Sequence, residues 1–317
     1  MPTRKGPRKG SLQFWPRKRV RKFLPRVNWD AISKDASGAL KGFICYKAGM
    51  ISGSVKDNTA NSMTKGKKII VPMTVLECPP MKILSVRFYK NGNVVKDILV
   101  KNLDKELKRK VKLPKKESGD ITAVKQEYDD VQIIAYSVVK KLDIKKTPDL
   151  SEIGLYGTLE QKMNFIKDHL NKELVISDVF KKGQLIDLRG LTTGKGFQGP
   201  VKRFGVTLRS HKSEKGVRGP GAHGSFHPRR ITFRVPEAGQ MGTFTRIVYN
   251  SKIFDLGNAK DKAELKGFKR FGDVKGDYIL VNGSVQGPPK RQVIATRSIR
   301  ETKLQLKKEY EFLKIIR

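Results

Sequence analysis

Apolar and polar side chains alternate along much of the chain, and this alternation is typical of half-buried β-strands. The pattern begins near Ala39. Asn91 and Gly92 form the residue pair of a tight hairpin turn and separate two of the alternating segments. We expect strands at residues 69–77, 82–89, 94–100, 131–139, 185–188, 244–249, 278–281 and 292–296. Segments scattered in this way favour a barrel over a parallel sheet.

One section between the strands has helical periodicity instead. Thr158 and Gln161 have the spacing of a capping box, and four apolar side chains from Leu159 to Leu170 fall on one helical face. The highly charged residues 101–116 predict a second helix or a loop. We therefore expect a mainly β, α+β fold. Its body comprises residues 39–102, 174–192 and 239–317, with a helical insertion at residues 103–173.

The N-terminus has a different composition. From Thr3 to Arg26 the chain has ten lysines and arginines, no acidic residue, and repeated prolines. Such a segment cannot close a hydrophobic core, so residues 1–38 are predicted to be an extended tail that orders only against a partner. Three aromatic residues interrupt the charges, and each ring either stacks on bases or pins the tail to the body. The sequence leaves both roles open for Phe14, Trp15 and Phe23.

A second basic segment lies between residues 193 and 238. It is rich in glycine, and from Thr192 to Arg234 it has ten lysines and arginines and a single acidic residue, Glu214. A connection of this length is unusual in a compact domain, and we expect it to be disordered without a partner. The alternative, a basic loop that only improves solvation, is disfavoured because so long a run of one charge seldom serves only that purpose. We interpret the segment as a central extension of the body.

The partner of both segments is predicted from charge. A net charge of +37 indicates a polyanion, with nucleic acid as the leading candidate and an anionic membrane surface as the rival. No apolar run approaches the roughly 18 to 20 residues of a membrane span, so we expect no membrane partner. The N-terminal residues lack the apolar block of a secretory signal, which favours a cytoplasmic location.

RNA is the better match among nucleic acids, because the residue types suit single strands and loops. Glycines let the backbone approach phosphates, arginine forks bind phosphate oxygens, and flat rings stack on unpaired bases. In the tail, the expected RNA contacts are Arg4, Lys5, Arg8, Lys9, Trp15, Arg17, Lys18, Arg19 and Arg21. In the central extension they are Lys195, Phe197, Gln198, Lys202, Arg203, Phe204, Arg209, Lys212, Lys215, Arg218, Phe226, His227, Arg229, Arg230 and Arg234.

Three other kinds of site are disfavoured. Residues 194–199 match the glycine pattern of a dinucleotide fingerprint. However, Pro200 and Gly205 argue against the helix that must follow, and no ribose-binding carboxylate stands at the required distance. His211, His223 and His227 lack the paired thiolate spacing of structural zinc sites, and Cys45 and Cys78 are interpreted as buried apolar side chains. We expect no catalytic residue, metal or cofactor.

Three blocks of sequence resemble the universal large-subunit ribosomal protein L3 family in its archaeal and eukaryotic form. Residues 10–19 (GSLQFWPRKR) resemble the family's N-terminal extension. Residues 193–205 (TGKGFQGPVKRFG) resemble its most diagnostic block, which residues 238–242 (AGQMG) continue. The resemblance covers essentially the whole chain and is far more specific than the glycine fingerprint.

The resemblance implies a translation-protein-like, six-stranded β-barrel whose tail and central extension penetrate large-subunit ribosomal RNA. It also implies neighbouring ribosomal proteins as partners, no homo-oligomer, a role in early subunit assembly, and an extension that reaches toward the peptidyl transferase centre. Phe226 and Phe204 stand where many family members have tryptophan, and Glu214 stands where eukaryotic members can have a modified histidine. Two alternatives stay open: an RNA-modifying enzyme that holds its substrate with the basic loop, and a general nucleic-acid packaging protein.

Overall fold

The computed structural model describes residues 7–32, 40–114, 121 and 127–316. Its strands are β1 (Gly42–Asp57), β2 (Lys68–Cys78), β3 (Met81–Lys90), β4 (Asn93–Leu99), β5 (Asp130–Ser137), β6 (Leu150–Gly154), β7 (Leu185–Leu191), β8 (Gly196–Gln198), β9 (Gly239–Met241), β10 (Thr245–Asn258), β11 (Asp277–Asn282), β12 (Gln292–Arg297) and β13 (Tyr310–Ile316). Its α-helices are α1 (Leu159–His169), α2 (Pro200–Phe204) and α3 (Lys303–Leu306). The 3-10 helices are Lys105–Arg109, Val139–Leu142, Ile176–Asp178, Ala259–Asp261 and Ala263–Leu265.

Seven strands form the larger sheet, in the order β12-β7-β10-β11-β2-β1-β13. Strand β1 also pairs with β12, so the pairings of six strands form a closed cycle. β1 achieves this by changing partners along its length: its first residues pair with β12, its last residues pair with β13, and β2 lies along its other side. The sheet is antiparallel at each of these three pairings.

A smaller antiparallel sheet has the order β4-β3-β5-β6 and carries α1 beside it. The capping box predicted at the start of α1 is confirmed, with the Thr158 hydroxyl accepting from the Gln161 amide and the Gln161 side chain accepting from the Thr158 amide. Ile166 is fully buried. The section 103–173 contains β5, which matches the strand predicted at 131–139, and β6 in addition to α1. The charged residues near 101–116 form one short 3-10 helix, with Leu107 as its buried anchor.

All eight predicted strands are present, with bounds that differ by a few residues at most except in β10, which extends nine residues beyond the predicted segment. The extra length of β10 carries Ile253 and Phe254 into the core. The sequence pattern did not delimit β1, β6, β8, β9 or β13. The main core joins both sheets and α1, and Phe43, Phe88 and Ile133 are representative members.

The predicted N-terminal tail, residues 1–38, extends too far along the chain. Trp29 and Ile32 are buried in the main core with exposures of 6% and 1%, so these two residues belong to the body. Residues 27–33 contain no lysine or arginine, and the two apolar side chains are free to pack. Phe23 is exposed, and the Arg291 guanidinium lies 5.1 Å from its ring centre. This contact favours the pinning role for Phe23.

The two cysteines are buried, as predicted. Cys45 and Cys78 lie on the neighbouring strands β1 and β2, with their sulfur atoms 3.3 Å apart, and both are fully buried in the main core. Burial raises the pKa of the Cys78 thiol well above its usual value. The body therefore keeps both sulfurs away from solvent.

A buried carboxylate is a second polar feature of the body. Asp255 on β10 accepts hydrogen bonds from Lys182 (2.7 Å), Lys262 and the Tyr278 hydroxyl (2.6 Å). Burial alone would raise the pKa of Asp255, but these three donors hold it below its usual value. The ionised carboxylate thus stabilises the folded body.

The chain divides into two compact units. Unit 1 comprises Met1–Lys22 and Leu191–Thr245, and unit 2 comprises Phe23–Gly190 and Arg246–Arg317 and contains both large sheets. Unit 1 contains nineteen lysines and arginines but only two acidic residues, Glu214 and Glu237. Among the described residues, no helix has the length and apolar character needed to cross a membrane.

Candidate nucleic-acid interface

Unit 1 is organised around a two-stranded antiparallel sheet, in which β8 pairs with β9 although residues 199–238 separate them in the sequence. Its register pairs Gly196 with Met241 and Gln198 with Gly239. The turn that follows β9 requires glycine, because Gly242 has φ +78° and an added Cβ would lie 2.1 Å from the Thr193 carbonyl oxygen. The Gln240 side chain donates to the Met241 and Gly242 carbonyls and fixes the same turn. This two-stranded sheet joins the two ends of the central extension.

Helix α2 corrects one step of the sequence reasoning. Pro200 and Gly205 argue against the helix that a dinucleotide fingerprint requires, yet Pro200 begins a short helix, since proline suits the first helical position. The helix has only five residues and ends at Gly205, which has φ +67°. Residues 196–198 form strand β8 rather than a phosphate-binding loop. The geometry therefore gives no support to a dinucleotide site.

Arg203 is an internal clamp of unit 1. Its guanidinium donates to three backbone carbonyls: Arg17 at 3.1 Å, Gln240 at 3.0 Å and Glu237 at 2.9 Å. Burial lowers the pKa of this guanidinium. These bonds connect the tail, α2 and the chain near β9. Arg203 was predicted to bind phosphate, but its donors are already engaged within the protein.

Two more of the predicted arginines have internal partners. Arg17 donates to the carbonyls of Ser11 (3.2 Å) and Arg203 (3.5 Å), and its guanidinium lies 4.4 Å from the centre of the Phe204 ring. Arg209 donates to the Pro220 carbonyl and, at 3.2 Å, to the Gly221 carbonyl. Phe204 is half-buried, with Arg203 also near its ring at 5.0 Å. Arg17, Arg209 and Phe204 therefore pack the unit.

Most other predicted contacts lie at the surface. In the described part of the chain, these cationic side chains are exposed and form no ion pair with a carboxylate: Arg8, Lys18, Arg19, Arg21, Lys195, Lys202, Lys212, Lys215, Arg218, Arg229, Arg230 and Arg234. Lys9 is half-buried. Gln198 is half-buried and donates to the Lys195 carbonyl at 2.6 Å. Arg4 and Lys5 lie outside the described residues. The exposed set can reach phosphates without breaking a bond within the protein.

The rings of unit 1 differ in exposure. Phe197 on β8 is 77% exposed, and Phe226 is 71% exposed with the Arg229 guanidinium 4.8 Å from its ring centre. His227 is exposed and meets Phe226 edge to face. Trp15 is half-buried, and the Arg8 guanidinium lies 5.7 Å from its ring centre. Phe14 is exposed. Phe197 and Phe226 thus have open faces on which a base can stack.

The histidines of unit 1 have no cluster of metal ligands around them. Among the described residues, no group of three or more His, Cys, Asp or Glu side chains lies close enough to hold a metal ion. His223 instead has its Nε2 3.4 Å from Oε1 of Glu237.

The sequence reasoning missed three residues of this surface. Ile231 and Phe233 are apolar yet exposed, and Phe233 has the highest exposure of the rings named above, 86%. Glu237 lies near them, and its buried Oε1 is the atom that faces His223. A Phe within a strongly basic segment predicts a stacking ring, and this reasoning identified Phe197, Phe204 and Phe226. The same reasoning holds for Phe233. Glu237 carries no such signal.

Comparison with known proteins gives one consistent result. The family model described as Ribosomal protein L3 matches residues 1–316. The large ribosomal subunit protein uL3 of Methanocaldococcus jannaschii is 39% identical over 309 residues, which cover 93% of this chain and 91% of that protein. The protein of the same name in Methanococcus vannielii is 39% identical over 308 residues, with the same coverage. That of Archaeoglobus fulgidus is 38% identical over 311 residues, covering 94% and 93%.

Proposed function

From the premise that this chain belongs to the ribosomal protein L3 family, we propose that unit 1 binds large-subunit ribosomal RNA. The family is a structural, non-enzymatic component of the large ribosomal subunit. The observation that carries the proposal is the exposed cationic surface of unit 1, which has only two acidic residues to oppose it. The family implies a location on the ribosome, and we propose that this chain belongs to cytoplasmic ribosomes.

The exposed cations act by neutralising phosphates. Each phosphate that a lysine or arginine neutralises releases a bound counterion, and the binding constant then falls with salt by a power of about 0.9 per contact on duplexes, or about 0.7 on single strands. Twelve exposed cations without ion pairs were described above in unit 1. Their contacts would fix the position of the protein on RNA without reading sequence. Phe197 and Phe226 add stacking surfaces for unpaired bases.

We propose that the body supports the central extension and the tail. We propose that the closed cycle of six strand pairings is the translation-protein-like barrel of the family, with residues 193–238 as its central extension and the N-terminal residues as its tail. The pairing of β1 with both β2 and β12 supports this assignment. In this proposal the chain joins the subunit as a single copy and contacts neighbouring ribosomal proteins.

Two finer roles follow from the family. We propose that the chain takes part in early subunit assembly and that its extension lies toward the peptidyl transferase centre, with Phe226 near the tip. Phe226→Ala would then perturb tRNA accommodation more than assembly, because an exposed ring can stack on a base without supporting the fold. Normal growth together with normal tRNA selection in that variant would contradict the role of Phe226.

Sedimentation tests the proposal. In a gradient of cell lysate at moderate salt, the chain should migrate with the large subunit, and a chain that stays free would refute the proposal. Competition between ribosomal RNA fragments and duplex DNA separates a ribosomal protein from a general packaging protein, which would bind both alike. An RNA-modifying enzyme would instead alter the RNA covalently.

A charge variant tests the interface itself. Replacing Arg229, Arg230 and Arg234 by alanine should lower the salt dependence of ribosomal RNA binding by a power of about 2 to 3. Replacing Lys108, Arg109 and Lys110 of the body removes the same charge from another exposed site and is the matched control. An equal change in both triple variants would show that charge alone, and not unit 1, determines binding.

A further inference from the structure

A cleft of about 330 Å³ lies within unit 1, between the tail, helix α2 and residues 231–238. Its wall includes the rings of Trp15, Phe204 and Phe233 and the guanidinium groups of Arg17 and Arg203. We propose that this cleft binds one unstacked base of RNA. The proposal rests on the proposed function and adds to it a subsite that recognises a base rather than a phosphate.

The guanidinium groups of the cleft already donate to carbonyls within unit 1. A phosphate is bound tightly when an arginine directs two free N–H groups at it. Both arginines here donate to carbonyls of unit 1, and Arg203 uses all three of its nitrogens in this way. What the cleft offers instead is flat surface. A base can stack on aromatic rings or on guanidinium planes without needing their donors.

The open ring surface belongs to Trp15 and Phe233. Phe204 has both guanidinium groups close to its ring, at 4.4 and 5.0 Å, so other groups have little access to it. Phe233 is 86% exposed, and Ile231 beside it is 55% exposed. A base that entered between Trp15 and Phe233 would remove apolar surface from water on both sides. The volume lies in the usual range of ligand sites, about 300 to 1,000 Å³.

Glu237 gives the cleft a preference among bases. Its Oε1 is buried and lies 3.4 Å from Nε2 of His223, while the Glu237 side chain as a whole is 40% exposed, which leaves the rest of the carboxylate open to a base. A carboxylate accepts hydrogen bonds from the exocyclic amino groups of adenine, cytosine and guanine. Uracil has one Watson–Crick donor, and carbonyl oxygens flank it on both sides. The cleft should therefore favour bases with an amino group over uracil, and the same carboxylate should repel phosphate.

Tryptophan fluorescence tests the cleft directly in the full chain. Trp15 and Trp29 are the two tryptophans, and Trp29 is buried in the core. Titration with single-stranded tetranucleotides of adenine or cytosine should quench the emission, and Trp15→Phe should abolish the quenching. Phe233→Ala should weaken binding about tenfold, because one stacking partner is lost. Leu304→Ala changes an exposed apolar residue of the body and should leave the affinity unchanged.

The preference among bases is tested with the uracil tetranucleotide. Wild type should bind it more weakly than the adenine and cytosine tetranucleotides. Glu237→Gln should remove this difference, because an amide offers a donor to the uracil oxygens as well as an acceptor.

Absence of quenching by every tetranucleotide, or equal affinity of wild type and Phe233→Ala, would overturn the base-binding cleft. Failure of the proposed function would appear elsewhere, as a chain that does not sediment with the large subunit. The tetranucleotide titration does not depend on that result, so the two failures are distinguishable.

Discussion

The clamp formed by Arg203 predicts a specific defect when that residue is replaced. Arg203→Ala removes three hydrogen bonds that connect the tail and residues 237–240 to helix α2. Bonds from charged donors contribute about 1.5 to 3 kcal/mol each when buried, and we take about 1 kcal/mol because Arg203 is only half-buried. Of the three bonds, the one to the Arg17 carbonyl holds the tail, and its loss, about 1 kcal/mol, corresponds to an opening of the tail that is about fivefold more frequent.

Amide hydrogen exchange of residues 10–20 measures this opening. We expect exchange about fivefold faster in Arg203→Ala. Arg203→Lys should give an intermediate value, because it keeps the charge but not the three-way geometry. Lys202→Ala is the matched control: the neighbouring side chain is exposed, so exchange should not change while the salt dependence of RNA binding falls by a power of about 1. If Arg203→Ala instead behaves as Lys202→Ala does, Arg203 binds phosphate and the clamp is wrong.

Three further predictions concern the turn, the carboxylate and the thiols. Gly242→Ala should destabilise the two-stranded β8–β9 sheet by about 2 kcal/mol, because the new Cβ meets a backbone oxygen, and amide exchange measures this loss. Gly199→Ala, where a Cβ has open space, should destabilise it far less. Asp255 has a lowered pKa, so its contribution to stability is present above the ordinary value of 3.8 and is lost as pH falls below it. Between about pH 3 and 5, the free energy of unfolding in urea should therefore depend less on pH in Asp255→Asn than in wild type. An unchanged pH profile would contradict the lowered pKa of Asp255. The thiols of Cys45 and Cys78 should not react with Ellman's reagent in the folded protein and should both react after unfolding; fast reaction of the folded chain would refute their burial.

Local patterns predicted the local structure well. The capping box of α1 and the eight strands depend on residues near one another in sequence, and the structure confirms them. Strand β1 was missed because it pairs on both sides and changes partners, so no single alternation runs through its sixteen residues. Trp29 and Ile32 were assigned to the tail because the predicted β pattern begins only near Ala39. Their burial depends on contacts with distant strands, which composition does not record.

The candidate interface shows the same limit. Lys202 and Arg203 are adjacent cations in one basic block, and the sequence gives both the same role. The structure places the Lys202 side chain at the surface, whereas Arg203 turns inward to carbonyls from residues 17, 237 and 240. Which cation faces RNA depends on the orientation of a five-residue helix and on the position of the tail. Neither property can be read from charge or spacing.

The central claim is that the basic unit 1 of this chain binds large-subunit ribosomal RNA. A cryo-electron microscopy map of large subunits from cells that express the chain tests it most directly. The predicted result is density for the chain in which Phe197, Phe226 and the exposed cations of unit 1 lie against RNA, while Arg203 keeps its bonds within the protein. A map of intact large subunits in which unit 1 lies in solvent, or in which the chain is absent, would contradict the claim.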